Sequence, residues 1–233
     1  MMRRAALLFA VLALAGCGNL GYYWKSVGGQ LEIWRREAPV ERLLADPALD
    51  PKLKAQLERA LRIREYASRE LGLPDNRSYR AYADLARPFV VWNVFAAPEF
   101  SVDAKQWCFP FAGCVGYRGY FSEAEARAQA KTLAAEGYDV HVGGVPAYST
   151  LGWSDWLGGD PLLNTFIGYP EGELARLIFH ELAHQVAYAK GDTMFNESFA
   201  TAVERLGGAR WLEKNASAVA GDDYAQFDGR RHD

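Results

Sequence analysis

Four histidines occur in the 233 residues, and two of them, His180 and His184, stand four apart inside one amphipathic stretch. Leu174, Leu177, Ile178, Leu182 and Val186 recur there at helical spacing, so residues 171–188 read as a helix. On a helix, positions four apart lie one turn apart on the same face, and both imidazoles aim at one point. In a strand the same two rings would stand about 13 Å apart and could share nothing. Two neutral imidazoles one turn apart can grip a single zinc ion. Glu181 lies between them, placed to accept a proton from a water that such an ion activates.

A catalytic zinc takes three protein ligands and keeps one position open. Glu197 and Glu204, 13 and 20 positions beyond His184, are the candidates for the third. Both fall in a second, shorter helical stretch that starts near Asn196, reaches Leu206 and is closed by Gly207-Gly208. Residues seven apart share a helix face, so spacing alone selects neither. Glu204 is a candidate for the ion or for a carboxylate that orients a histidine N–H. Asn196 has backbone or substrate as its candidate partner.

The chain begins with Arg3-Arg4, then an unbroken apolar run from Ala5 to Ala13, then Leu14-Ala15-Gly16-Cys17. The run is too short to span a bilayer as an ordinary helix and reads as a processing segment. Small residues before a cysteine resemble the lipobox of bacterial lipoproteins. That resemblance implies cleavage before Cys17, lipid on Cys17, and a periplasm-facing site in the cell envelope. Gly18, where an aspartate would signal retention, implies the outer membrane. The chain then divides into a signal peptide over 1–16, a lipidated tether over 17–30 and one domain over 31–233. Cys108 and Cys114 remain, in a compartment that permits disulfides, and are expected to pair. A net charge of -3 with no basic cluster beyond Arg3-Arg4 excludes an electrostatic nucleic-acid binder.

Pro51 to Leu71 reads as the clearest long helix, with Pro51 in its first turn. Phe89 to Phe95 is rich in strand formers. Phe100 to Phe121 reads as irregular. Ser122 and Glu125 form a capping-box pattern ahead of a helix that Gly137 closes, and Tyr138 to Val142 reads as a strand. Gly143 to Pro170 reads as loop, a candidate cleft wall before the histidine helix. The fold class is α+β: mainly helical with a small sheet.

Four stretches carry a resemblance beyond single motifs. They are Ala147-Tyr148-Ser149-Thr150-Leu151-Gly152-Trp153, Asp160-Pro161-Leu162-Leu163-Asn164-Thr165, Phe179-His180-Glu181-Leu182-Ala183-His184-Gln185 and Phe195-Asn196-Glu197-Ser198-Phe199-Ala200. With them the chain resembles a family of bacterial lipoproteins described as predicted aminopeptidases, of the gluzincin (HExxH…NExxA) type. Its members run longer past the second helix, so this chain reads as a C-terminally short member. The resemblance implies a zincin-like fold, one Zn2+ held by His180, His184 and Glu197, Glu181 as the base, and Glu204 in a supporting place. It implies a peptide substrate, cut from its amino end. A zinc endopeptidase and a noncatalytic zinc-binding envelope lipoprotein are the rival readings. Gluzincins use a tyrosine or histidine to stabilise the oxyanion. Tyr148 is the first candidate for that role, with Tyr188 behind it and His141 as a surface or packing residue. Glu173, Asp155 and Asp160 are candidates for an anion that holds a substrate ammonium group.

Overall fold

The computed structural model describes residues 20–109, 113–147, 159–189 and 191–215. About half of it is helical, with small sheets, which is an α+β architecture. Helix α1 runs through residues 20–36. Then follow β1 (Ala38–Pro39), α2 (Val40–Leu44), α3 (Pro51–Arg69), β2 (Ala81–Ala83), β3 (Val91–Pro98), β4 (Trp107–Phe109), β5 (Gly113–Val115) and β6 (Arg118–Tyr120). The chain continues with α4 (Glu123–Ala135), β7 (Tyr138–Val145), β8 (Leu162–Leu163), α5 (Glu171–Ala183) and α6 (Thr193–Asn215). The sequence suggests one small sheet; there are three among the described residues. They are β1-β2-β8, with β2 and β8 parallel, an antiparallel β6-β3-β7, and a β4-β5 hairpin.

Two cores organise these elements. The larger packs α3, α5 and α6 with Ile33 of α1 and Val40 of α2. Helix α3 starts where Asp50 Oδ1 accepts the Leu53 N–H at 2.9 Å, with Pro51 in the first turn. Its buried face is Leu57, Ala60, Ile63, Arg64 and Ala67. The smaller core forms where Trp92, Val94 and Ala96, alternating on β3, meet Ala126 and Leu133 of α4. Full burial of each large apolar side chain here stabilises by about 1.5–3 kcal/mol. The Cys108–Cys114 disulfide is present, and it joins residues directly opposed across the β4-β5 hairpin.

Phe100 to Phe121, read as irregular, carries β4, β5 and β6, and four other readings of the sequence are corrected. Residues 20–30, read as a tether, are helical and continuous with α1. The capping box does not form: Ser122 stands at the N-cap without a side-chain hydrogen bond, and Glu125 turns to Lys25 at 2.6 Å instead. Helix α5 stops at Ala183, five residues early, because Gln185 and Val186 bond back to Leu182 and Ala183, tightening the last turn. Val186 and Tyr188 are therefore exposed and take no part in the buried face. Finally, α6 does not stop at Gly207-Gly208 but continues to Asn215. A Cβ on Gly207 would lie 2.7 Å from Leu71 Cδ1 and 3.0 Å from Phe179 Cδ2. The glycine is a notch that lets α6 cross close to α5 and α3. Packing outweighs the roughly 1 kcal/mol propensity cost of glycine inside a helix.

Candidate metal centre

Helices α5 and α6 build the site between them. Asp192 Oδ1 accepts the Phe195 N–H at 2.9 Å and starts α6. Asn196 is buried, and both ends of its amide bond the backbone of Ala189, at 2.7 and 2.9 Å. That clamp closes the short turn between the helices and answers the question left at Asn196: its partner is backbone. It also fixes Glu197, the next residue, over the end of α5.

The two imidazoles meet edge to face, with His184 Nε2 3.2 Å from His180 Nε2. Glu197 completes the group, one oxygen 3.3 Å from His180 Nε2 and the other 3.7 Å from His184 Nε2. All three donor atoms lie within 4.8 Å of one another. Donors bound tetrahedrally to one zinc at about 2.0–2.1 Å stand roughly 3.3 Å apart. The spacing here is close to that, and the two-nitrogen, one-oxygen set suits the ion.

Behind the group, Glu204 is buried and accepts from His180 Nδ1 at 2.9 Å and from the Arg176 guanidinium. A proton held on Nδ1 leaves the lone pair of neutral His180 on Nε2, facing His184. Burial alone would lower the His180 pKa. The Glu204 hydrogen bond and the charges of Glu181, Glu204 and Glu197 outweigh it and hold the imidazole above its ordinary value. His184 is held below, by burial and by His180 beside it. Its Nδ1 is buried with no hydrogen-bond partner among the described residues. Glu204 itself resists burial: its bonds to His180 and Arg176 keep it below the usual carboxylate range.

A second support reaches the centre from α3. The Arg64 guanidinium is fully buried and donates to Ser78 O at 2.8 Å, Pro74 O at 2.7 Å and Asn76 O at 3.2 Å. Asn76 Nδ2 donates to Gln185 Oε1 at 2.6 Å, and Gln185 Nε2 to Ser78 Oγ at 3.3 Å. The residue after His184 is thus tied through one loop to a buried cation.

Glu181 is half-buried and feels the charges of His180, Glu197 and Glu204. Burial pushes its pKa up to about 7; His180 pulls it down, while Asp160, Glu197 and Glu204 add to the rise. Of the three candidate anions, Asp160 is buried and acts electrostatically on Glu181. Glu173 lies on the first turn of α5, at the far end from His180, and Asp155 lies outside the described residues, as does Tyr148. His141 is exposed on β7, its ring 6.3 Å from Phe95.

Tyr117 is a residue that sequence reasoning missed. It follows the disulfide hairpin and packs on Phe95 at 5.8 Å. The residue is 42% exposed; partial burial, then Glu197, Tyr188, Tyr22 and Glu181, raise its phenol pKa. It therefore stays protonated, a donor within electrostatic reach of the centre. No spacing in the sequence links position 117 to position 181, so no local signal could have found it.

Residues 21–233 match the family model described as "Putative aminopeptidase". The chain belongs to this family. Comparison with curated proteins and with solved structures finds no match. The family description supports a peptidase acting on peptide substrates.

Proposed function

We propose that this member of the family is a zinc-dependent aminopeptidase of gluzincin type, with a zincin-like arrangement of α5 and α6. His180, His184 and Glu197 would hold the ion, and their mutual spacing of 3.2, 3.3 and 3.7 Å is the observation that carries the reading. When bound, zinc supplies Lewis-acid polarisation of the scissile carbonyl and of the attacking water.

The chain's own residues supply the rest. Glu181 takes the proton of the attacking water on a carboxylate oxygen and delivers it to the nitrogen of the leaving amine. A carboxyl poised near neutrality serves both directions of that transfer. Glu204 holds the His180 Nδ1–H and so fixes the ring. Tyr117, which feels the charges of Glu197 and Glu181, is our candidate to donate to charge developing on the carbonyl oxygen. Asp160 provides buried negative charge beside Glu181, suited to a free substrate amine. The lipobox at Cys17, outside the described residues, supports a lipid-anchored enzyme facing the periplasm, with the outer membrane favoured.

The test is purified full-length chain, its zinc measured by elemental analysis, assayed on free-amine and N-blocked peptides. Stoichiometric zinc and cleavage of free-amine peptides are expected. Glu181→Gln should keep the metal and lower kcat about 10²–10⁴-fold. Zinc without cleavage of either series overturns the enzyme reading, and cleavage of blocked peptides alone makes it an endopeptidase.

A further inference from the structure

We propose that the outward face of α1 lies in the interface of a lipid bilayer and holds the domain in a fixed attitude on the membrane. Leu20, Trp24, Val27 and Leu31 fall within roughly 60° of the helix circumference at about 100° per residue. All four are exposed, at 71, 79, 54 and 37%. Tyr23 flanks them, and exposed Arg35 continues the stripe as a cation. Glu32 is turned away, paired with Arg36 and Arg87. A continuous apolar stripe of this kind differs from singly scattered surface hydrophobics.

The opposite face of α1 is seated on the protein. Ile33 is buried in the main core. Gly29 is buried where a Cβ would strike the Phe121 ring at 2.1 Å. Tyr22 packs on Phe109 and Tyr120, with the Arg118 guanidinium 4.1 Å from its ring centre. Lys25 pairs with Glu125 of α4 at 2.6 Å. The helix is thus part of the domain and cannot swing as a free leash.

The preceding chain says what covers the stripe. Cys17 stands three residues before Leu20, and the apolar run Ala5 to Ala13 stands before it. Three residues span at most about 10 Å, so a lipid on Cys17 brings the start of α1 to the bilayer surface. From Leu20 to Leu31 the stripe is about 16 Å long. Laid flat, it puts Trp24 and Tyr23 at headgroup level and its leucines at the acyl boundary. The two or three acyl chains of a lipobox cysteine hold the chain at the bilayer by themselves; what the helix beside them adds is a fixed attitude of the domain. This inference rests on the anchored reading above.

The lipidated full chain, reconstituted in phosphatidylethanolamine–phosphatidylglycerol vesicles, tests it. Cysteines placed one at a time at 24, 27 and 31, and at 206 on α6 for reference, are labelled with a fluorophore. With Cys108 and Cys114 paired and Cys17 acylated, the introduced thiol is the free one. Labels at 24, 27 and 31 should lose most of their quenching by aqueous iodide and gain quenching by nitroxide lipids; the label at 206 should do neither. Trp24→Asp combined with Val27→Asp should restore iodide access at 31, with far-UV circular dichroism and hydrolysis of a soluble peptide unchanged. Equal iodide access at the stripe and at 206 overturns the proposal. Protection from both quenchers, with cross-linking between chains at 24, overturns it in favour of a second copy. Mass spectrometry of Cys17 separates the two failures. If no lipid is found the anchor reading falls, and the same labels with added vesicles still decide whether the stripe binds.

Discussion

In the α5–α6 pair the polar groups are on the inside: Arg176, His184, Asn196 and Glu204 are all buried between the helices or at their junction. In the β6-β3-β7 sheet with α4 the buried side chains at the interface are apolar, Trp92, Val94, Ala96, Ala126 and Leu133, with one part-buried hydrogen bond, from Tyr120 to Gln129, at its margin. The first arrangement spends burial of charge on position. Each buried polar group has a direction as well as an energy, and together they fix His180 and Glu197. The second spends burial on cohesion alone. The helix pair is where the centre gains its geometry, and the sheet unit supplies a packed neighbour.

The contrast can be broken by substitution, most sharply at Glu204. Glu204→Ala leaves the Arg176 charge buried without its carboxylate and should cost about 3–5 kcal/mol in urea unfolding. Glu204→Gln keeps the shape, loses the anion, and should weaken zinc affinity about 10–100-fold in a chelator competition. A wild-type zinc affinity in Glu204→Gln would show that the centre does not depend on the buried network. Leu133→Ala in α4 should destabilise by about 2–5 kcal/mol yet leave zinc content unchanged, because the small core touches no ligand. Loss of zinc in this variant would mean that the two regions are one cooperative unit. Tyr117→Phe should lower kcat by about 10²-fold with zinc content and KM unchanged; an equal loss in KM alone would make Tyr117 a wall of the cleft.

The smallest effect concerns Glu37, at the end of α1. Burial, and Asp160 near it, push its pKa up to about 7. The folded state thus holds a proton that the unfolded chain releases above about pH 4.3. Stability should fall as pH rises from there to about 7 and then level off. Glu37→Gln should reduce that slope in thermal melts at pH 5, 6 and 7, leaving the part that Glu181 contributes, and an unchanged slope would place the titrating group elsewhere.

Local periodicity made much of this legible. Leu57, Ala60, Ile63 and Ala67 announce α3, and the four-residue step from His180 to His184 announces a shared face. Cys108 and Cys114 are expected to pair, and they do. What stayed illegible depends on distant partners. Gly207-Gly208 reads as a stop by propensity, and only the nearness of Leu71 and Phe179 makes it a crossing point. Ser122 and Glu125 have the right spacing for a cap, but Lys25, nearly a hundred residues earlier, takes the glutamate. Arg64 sits at a buried helical position, where the sequence gives no hint of the carbonyls at 74–78 that hold it.

The unbroken α6 makes the protein sensitive in an unexpected place. One rigid rod carries Glu197 near its start and Trp211 near its end, and Trp211 Nε1 donates to Glu171 Oε1 at 3.1 Å, pinning the far end to α5. About 15 Å separates Glu197 from the notch at Gly207. The helix is therefore a beam with its fulcrum at Gly207, and a side chain wedged under the fulcrum tilts the carboxylate at the tip. Substitutions around residue 207, about 15 Å from Glu197, would therefore shift that carboxylate against His180 and His184 without touching any of the three.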